Sequence, residues 1–228
     1  MLEKRIIGQK SMTEQELLNN IQKQGLALQN VPEEQQTPAL CLAAVRQNPF
    51  ALCFVKHQTP ELCLIALKQN GMLLFFVQQQ TLETCLTAVR QNGLALRYVK
   101  KEYQTNEIYI EAVRQNGLAL QYIQANKQTH LLCITALKNN PLSLQFVKYQ
   151  TQELCLVAVK KNGLALRYVG KENQGIEIYS EAVKQNGLAL QYIPVQEQTK
   201  EICLMAVSHS KVALHYASEE YKTLINSI

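Results

Sequence analysis

The sequence predicts an all-α solenoid of about nine helix–turn–short-helix repeats of 22–24 residues. Three observations predict it. One octapeptide recurs, clearest at Asn92 to Val99, Asn116 to Ile123, Asn162 to Val169 and Asn186 to Ile193, with looser copies starting at Gln24, Asn48, Asn70, Asn140 and Ser210. Twelve residues before the glycine position of every copy stands a start residue: Thr13, Thr37, Thr59, Thr81, Thr105, Thr129, Thr151, Gly175 or Thr199. Between start and corner, apolar residues recur at helical spacing. A fixed module joined by slightly variable loops is the signature of stacked supersecondary units. Such a chain favours surface recognition over chemistry in a pocket.

The first element of each unit reads as an α-helix. Threonine is a good N-cap because its hydroxyl accepts from an orphan backbone N–H of the first turn. Pro38 and Pro60 follow at the first helical position, which suits proline. Glu61, Glu83, Glu107, Glu153, Glu177 and Glu201 stand two places after the cap, near the positive end of the helix dipole. With the cap as zero, apolar residues fall at three, four, seven and eight, as in Leu154, Cys155, Ala158 and Val159, and form one stripe. Alanine at seven in eight units implies close helix approach.

The corner is Asn-Gly or Asn-Pro. A residue before proline is pushed out of the α region. Asn48 and Asn140 should therefore end one helix and cap the next, with Pro49 and Pro141 opening the second element. Leu94, Leu96, Tyr98 and Val99 show the apolar pattern that follows. It fits a short helix, favoured by the cap and the proline; its alternation fits a short strand as well.

The whole chain reads as a single elongated domain, 1–228, with a partial unit at 1–12, repeats over 13–222 and a truncated unit or cap at 223–228. Leu2, Ile6 and Ile7 match the apolar places of a short helix before Thr13, and Thr223 should start a tenth first helix. Residues 81–128 resemble 151–198 at an offset of 70, which implies internal duplication. The first twenty residues carry charges and no long apolar run, so no signal peptide is expected. No stretch approaches the roughly 18 apolar residues of a membrane span.

Six of the seven cysteines, Cys41, Cys63, Cys85, Cys133, Cys155 and Cys203, occupy position four on the buried stripe, a place shared with Leu17, Tyr109 and Tyr179. They read as small hydrophobes of the core. With no Cys-x-x-Cys pair, no metal is expected, and many free thiols fit a reducing cytosol. Cys53 lies outside the pattern.

The segment Ala182 to Tyr192 and its close copy Ala112 to Tyr122 resemble a bacterial repeat family known as domain of unknown function 4116. The stretch His215 to Thr223 resembles its inter-repeat segment, and the likeness covers roughly residues 13–223. The resemblance implies a protein of an intracellular bacterium, such as an effector delivered into a host cell. It lends no activity and no catalytic residues.

The candidate partner-binding feature is a basic column at position nine: Arg46, Lys68, Arg90, Arg114, Lys138, Lys160 and Lys184, with Arg97 and Arg167 in the second elements as an extension. Stacked helices would space these roughly 8–10 Å apart. The position-two glutamates should form an acidic rail two turns away. Local energetics account for such a column without a ligand. A cation in the last helical turn gains about 0.3–1 kcal/mol from the dipole, against a repulsion of about 0.4 kcal/mol between neighbours in water. Position six varies most (Ala43, Ile65, Thr87, Glu111, Thr135, Val157, Glu181, Met205) and should be solvated. The glutamine before each start residue should form a hydrogen-bonded ladder, and the recurring Tyr/Phe should be core.

Catalysis finds little support. His57, His130, His209 and His215 fall at four different repeat positions, and neither a nucleophile motif nor a phosphate loop is present. The expected function is a non-catalytic protein-interaction scaffold without cofactor, an effector gripping a host protein along one solenoid face in the cytoplasm or host-cell cytosol. The rival is nucleic-acid or anionic-surface binding through the basic column. The net charge of +5 is modest for that role, and no exposed aromatic ladder is expected.

Overall fold

The computed structural model describes residues 12–226. Among them are ten α-helices and no strand. The first nine helices are α1 Glu14–Lys23, α2 Pro38–Gln47, α3 Pro60–Gln69, α4 Leu82–Gln91, α5 Asn106–Gln115, α6 His130–Asn139, α7 Gln152–Lys161, α8 Ile176–Gln185 and α9 Lys200–His209. Each is followed by a six-residue 3₁₀ segment, such as Gly93–Tyr98 after α4. Five of the loops hold a further three-residue 3₁₀ turn, such as Lys101–Tyr103, which takes up the two extra residues of the longer repeats. Successive α-helices pack side by side as one layer and successive 3₁₀ segments as another. The core lies between the layers and runs the length of the stack. Leu2, Ile6 and Ile7 lie outside the described residues.

The caps explain the boundaries. Threonine hydroxyls accept from the backbone N–H three residues on in every unit that starts with threonine. Gly175 gives α8 no side-chain cap. From Asn48 to Asn186 the corner asparagine ends the α-helix in extended backbone and accepts from the N–H two residues on, at 3.0 Å. Pro49 and Pro141 open their 3₁₀ segments. The end units lack this: Gln24 and Ser210 make no side-chain cap bond.

The second element is thus helical, with 3₁₀ geometry. Three residues per turn stack every third side chain, so Gly93, Leu96 and Val99 share the buried face while Leu94 and Tyr98 are half-exposed. That placement corrects one expectation: the recurring Tyr/Phe is not core but stands at its edge.

The tenth helix, α10, spans Glu219–Asn226, five residues earlier than the spacing predicts. Thr223 lies inside it, its hydroxyl donating to the Glu219 carbonyl at 3.0 Å. Ser218 stands at its start, its hydroxyl accepting from the Tyr221 N–H at 3.4 Å. In the second to ninth units a glutamine precedes the start residue and holds the loop. Here Lys222 stands in that place, and the chain winds on from Ser218 as helix.

Candidate functional site: two solenoid faces

The units are joined by two sets of amide side chains. The first is the expected ladder of glutamines before each start residue. Gln150 donates to the carbonyls of Leu144 and Tyr168, in the 3₁₀ segments of neighbouring units. Its oxygen accepts from the Gly170 N–H at 2.8 Å and from the Cys155 thiol at 3.5 Å. The same oxygen at Gln104 and Gln174 accepts instead from the hydroxyls of Tyr109 and Tyr179. This accounts for the exchange of Cys and Tyr at position four: both are mostly apolar, and both donate to the ladder. Burial raises these thiols, to about 11 for Cys63, Cys85, Cys155 and Cys203, so they stay protonated at neutral pH. Cys53 is exposed.

The second set was not singled out from the sequence. The last residue of each helix from α2 to α8 reaches back to the unit before. Gln91 accepts from the Gly71 N–H at 2.6 Å and donates to the Gln69 carbonyl at 3.1 Å. Gln47 and Gln115 repeat this on Gly25 and Gly93, and Asn139 on Gly117. Each pair satisfies a helix C-terminal carbonyl that has no intrahelical partner. Where the facing corner is Pro141, which has no N–H, the residue is Lys161, a pure donor, on the Lys138 carbonyl.

Where the corner is glycine, the junction closes tightly onto it. A Cβ on Gly71, Gly93, Gly117 or Gly163 would lie 2.2–2.3 Å from the carbonyl oxygen of the position-seven alanine in the next helix. None of the described glycines has the positive φ that would otherwise demand glycine.

The α face carries the expected basic column, with all seven side chains exposed. Its members are not equivalent. Arg90 pairs with Glu111 at 3.2 Å and reaches Glu107 at 3.9 Å; Arg114 holds the other Glu111 oxygen at 2.7 Å. The acidic and basic rails therefore interlock across units here. At the duplicated place, 70 residues on, Lys160, Glu181 and Lys184 form no ion pair among the described residues. Arginine's planar fork grips a carboxylate with two nitrogens, whereas an ammonium stays hydrated. Arg46, Lys68 and Lys138 are likewise without an ion pair among the described residues. The longest open stretch of the column is Lys138, Lys160 and Lys184, on α6, α7 and α8 in turn.

Position six departs from expectation. Seven of its eight residues are half-buried between neighbouring helices and only Met205 is exposed. Ile65 lines a cleft of about 440 Å³ between α2 and α3 with Cys41, His57 and Glu61. Burial raises the Cys41 thiol, and nothing there activates it as a nucleophile. Among the described residues no group of three or more His, Cys, Asp or Glu could hold a metal ion. No described helix is long and apolar enough to cross a membrane.

Arg97 and Arg167 belong to the 3₁₀ layer and so do not extend the α-face column. The sixth residue of each 3₁₀ segment is aromatic in every unit but the first: Phe54, Phe76, Tyr98, Tyr122, Phe146, Tyr168, Tyr192 and Tyr216. These rings are half-exposed or, at Phe76 (37%) and Tyr216 (40%), exposed. The expected absence of an aromatic ladder is therefore corrected. Arg97 lies 5.0 Å from the Tyr98 ring and 5.9 Å from Tyr122; Arg167 repeats both distances on Tyr168 and Tyr192. Phe75, 64% exposed, contacts Phe76 and Tyr98 with ring centres 5.1 and 5.2 Å away.

The family model described as "Domain of unknown function (DUF4116)" matches the chain three times, over residues 81–124, 131–174 and 176–222. Each match takes in two of the units described above. No curated protein and no solved structure matches.

Proposed function

The chain belongs to the DUF4116 family, and on that premise we propose that it is a non-catalytic interaction scaffold whose α face grips an acidic protein partner. The observation that carries this reading is the open lysine row, Lys138, Lys160 and Lys184, set on the last turns of three adjacent helices. The helices hold the three lysines in register, and none of them makes an ion pair among the described residues. A partner presenting carboxylates along a helix or strand would neutralise all three at once. Charges so arranged steer encounter and fix register more than they add raw affinity. The half-buried position-six residues between the helices would supply shape. In this reading the partner is a host-cell protein, to which the chain would be delivered as an effector.

The test is affinity capture from nuclease-treated host-cell cytosol, comparing the native protein with Lys138→Glu/Lys160→Glu/Lys184→Glu. A discrete protein set should bind the native chain and bind the variant at least about tenfold more weakly, since opposed like charges cost several kcal/mol. Equal recovery by both would remove the lysine row from the function.

A further inference from the structure

We propose that the 3₁₀ face is a second binding surface, one that takes single-stranded nucleic acid by stacking one base on each unit. This goes beyond the α-face reading, because the surface lies in the other layer of the solenoid. Three observations carry it. First, an aromatic ring stands at the same place in consecutive units and is left partly open to solvent. Base–aromatic stacking needs only an accessible ring face and is tolerant of sequence. Second, Arg97 and Arg167 each contact the rings of two consecutive units, so neighbouring platforms are close enough to share one guanidinium. A planar cation between rings can stack on a base and pair with the phosphate beside it.

Third, the ring-bearing segments themselves carry no acidic residue. None of the nine six-residue 3₁₀ segments contains an aspartate or glutamate. Lys56, Lys100 and Lys148 follow the ring by two residues in their units and are exposed. Glutamates follow in the inter-unit turns, at Glu33, Glu34, Glu102, Glu172 and Glu197, and at Glu219 and Glu220 in α10. Rings alone would suit a proline-rich peptide equally well. Rings interleaved with cations and free of carboxylates suit a strand that carries a phosphate with every base. A duplex is disfavoured because its bases offer no open face. Three further places beside the rings hold Gln121, Gln145 and Gln191, which donate to their own turns and present a side-chain oxygen that could accept from a base edge.

The test is fluorescence anisotropy of the full chain with a labelled oligouridine of about twelve nucleotides, titrated at salt from about 50 to 200 mM. Binding should be saturable, stronger than to a duplex of equal length, and weaker at higher salt. Arg97→Gln/Arg167→Gln should lower affinity about tenfold and reduce the salt slope by about 1.4, two phosphates' worth for a single strand. Glutamine already stands at this place in the sister units, so the fold should persist. Phe75→Ala, at an exposed ring, should also weaken binding by about tenfold. The triple lysine variant of the α face should bind as the native chain does. Absence of binding, equal affinity for duplex, indifference to both 3₁₀-face variants, or loss only in the lysine variant would each overturn the proposal. Binding of a labelled proline-rich peptide in place of the RNA would do the same.

Discussion

Gly93 is small because of an atom that belongs to another unit. The added methyl group would sit 2.3 Å from the Ala112 carbonyl oxygen, which is backbone and cannot rotate away. Gly93→Ala should therefore destabilise the fold by about 2 kcal/mol through overpacking. Gly175→Ala supplies the control. Its backbone is extended, with nothing within 4 Å of the new methyl group, so alanine there should be neutral or slightly stabilising. Thermal unfolding of the two variants checks both, and equal losses would mean that the glycines serve the corner and not the junction. The recurrence of glycine was legible in the sequence; its cause was not, because the clash lies some twenty residues away. The aromatic residues show the same limit. Tyr98 follows the apolar pattern, but whether a ring at the edge of a thin layer is covered depends on the neighbouring segment.

At the scale of the element, helix limits were readable because they depend on local chemistry: a threonine hydroxyl, an asparagine amide, a proline at the first turn. The kind of second helix was harder to read. Six residues with one bond per turn give period three, which over so short a run resembles both alternation and a helical stripe. The glutamine ladder was expected. Gln150→Ala would leave two carbonyls, one N–H and one thiol without their shared partner. A stability loss of about 2 kcal/mol should follow, since unsatisfied buried backbone groups cost about 1–3 kcal/mol each and some will find water. Chemical denaturation would measure it, and a loss under half a kcal/mol would show that the ladder is dispensable. The back-reaching Gln91 and its equivalents escaped the sequence because a polar residue at a helix end reads as solvated.

The molecule as a whole is a stack in which each unit touches its neighbours, so stability is a sum over junctions and the outer faces are free to vary. The α face and the 3₁₀ face are then separate surfaces of one stack. The basic column was legible as a spacing, but not which of its members are engaged. The sequence places Arg90 and Lys160 at equivalent sites, and only their geometry separates a closed Arg–Glu–Arg clamp from three open lysines. The clamp also directs any test away from Arg90 and Arg114, whose reversal would disturb an internal ion pair first. The most direct measurement is hydrogen exchange on the native chain with and without the captured partner. Added protection should fall on the last turns of α6, α7 and α8 around Lys138, Lys160 and Lys184. Protection confined to the 3₁₀ segments, or to the clamp at Arg90 and Arg114, would contradict the assignment of the α-face lysines as the gripping surface.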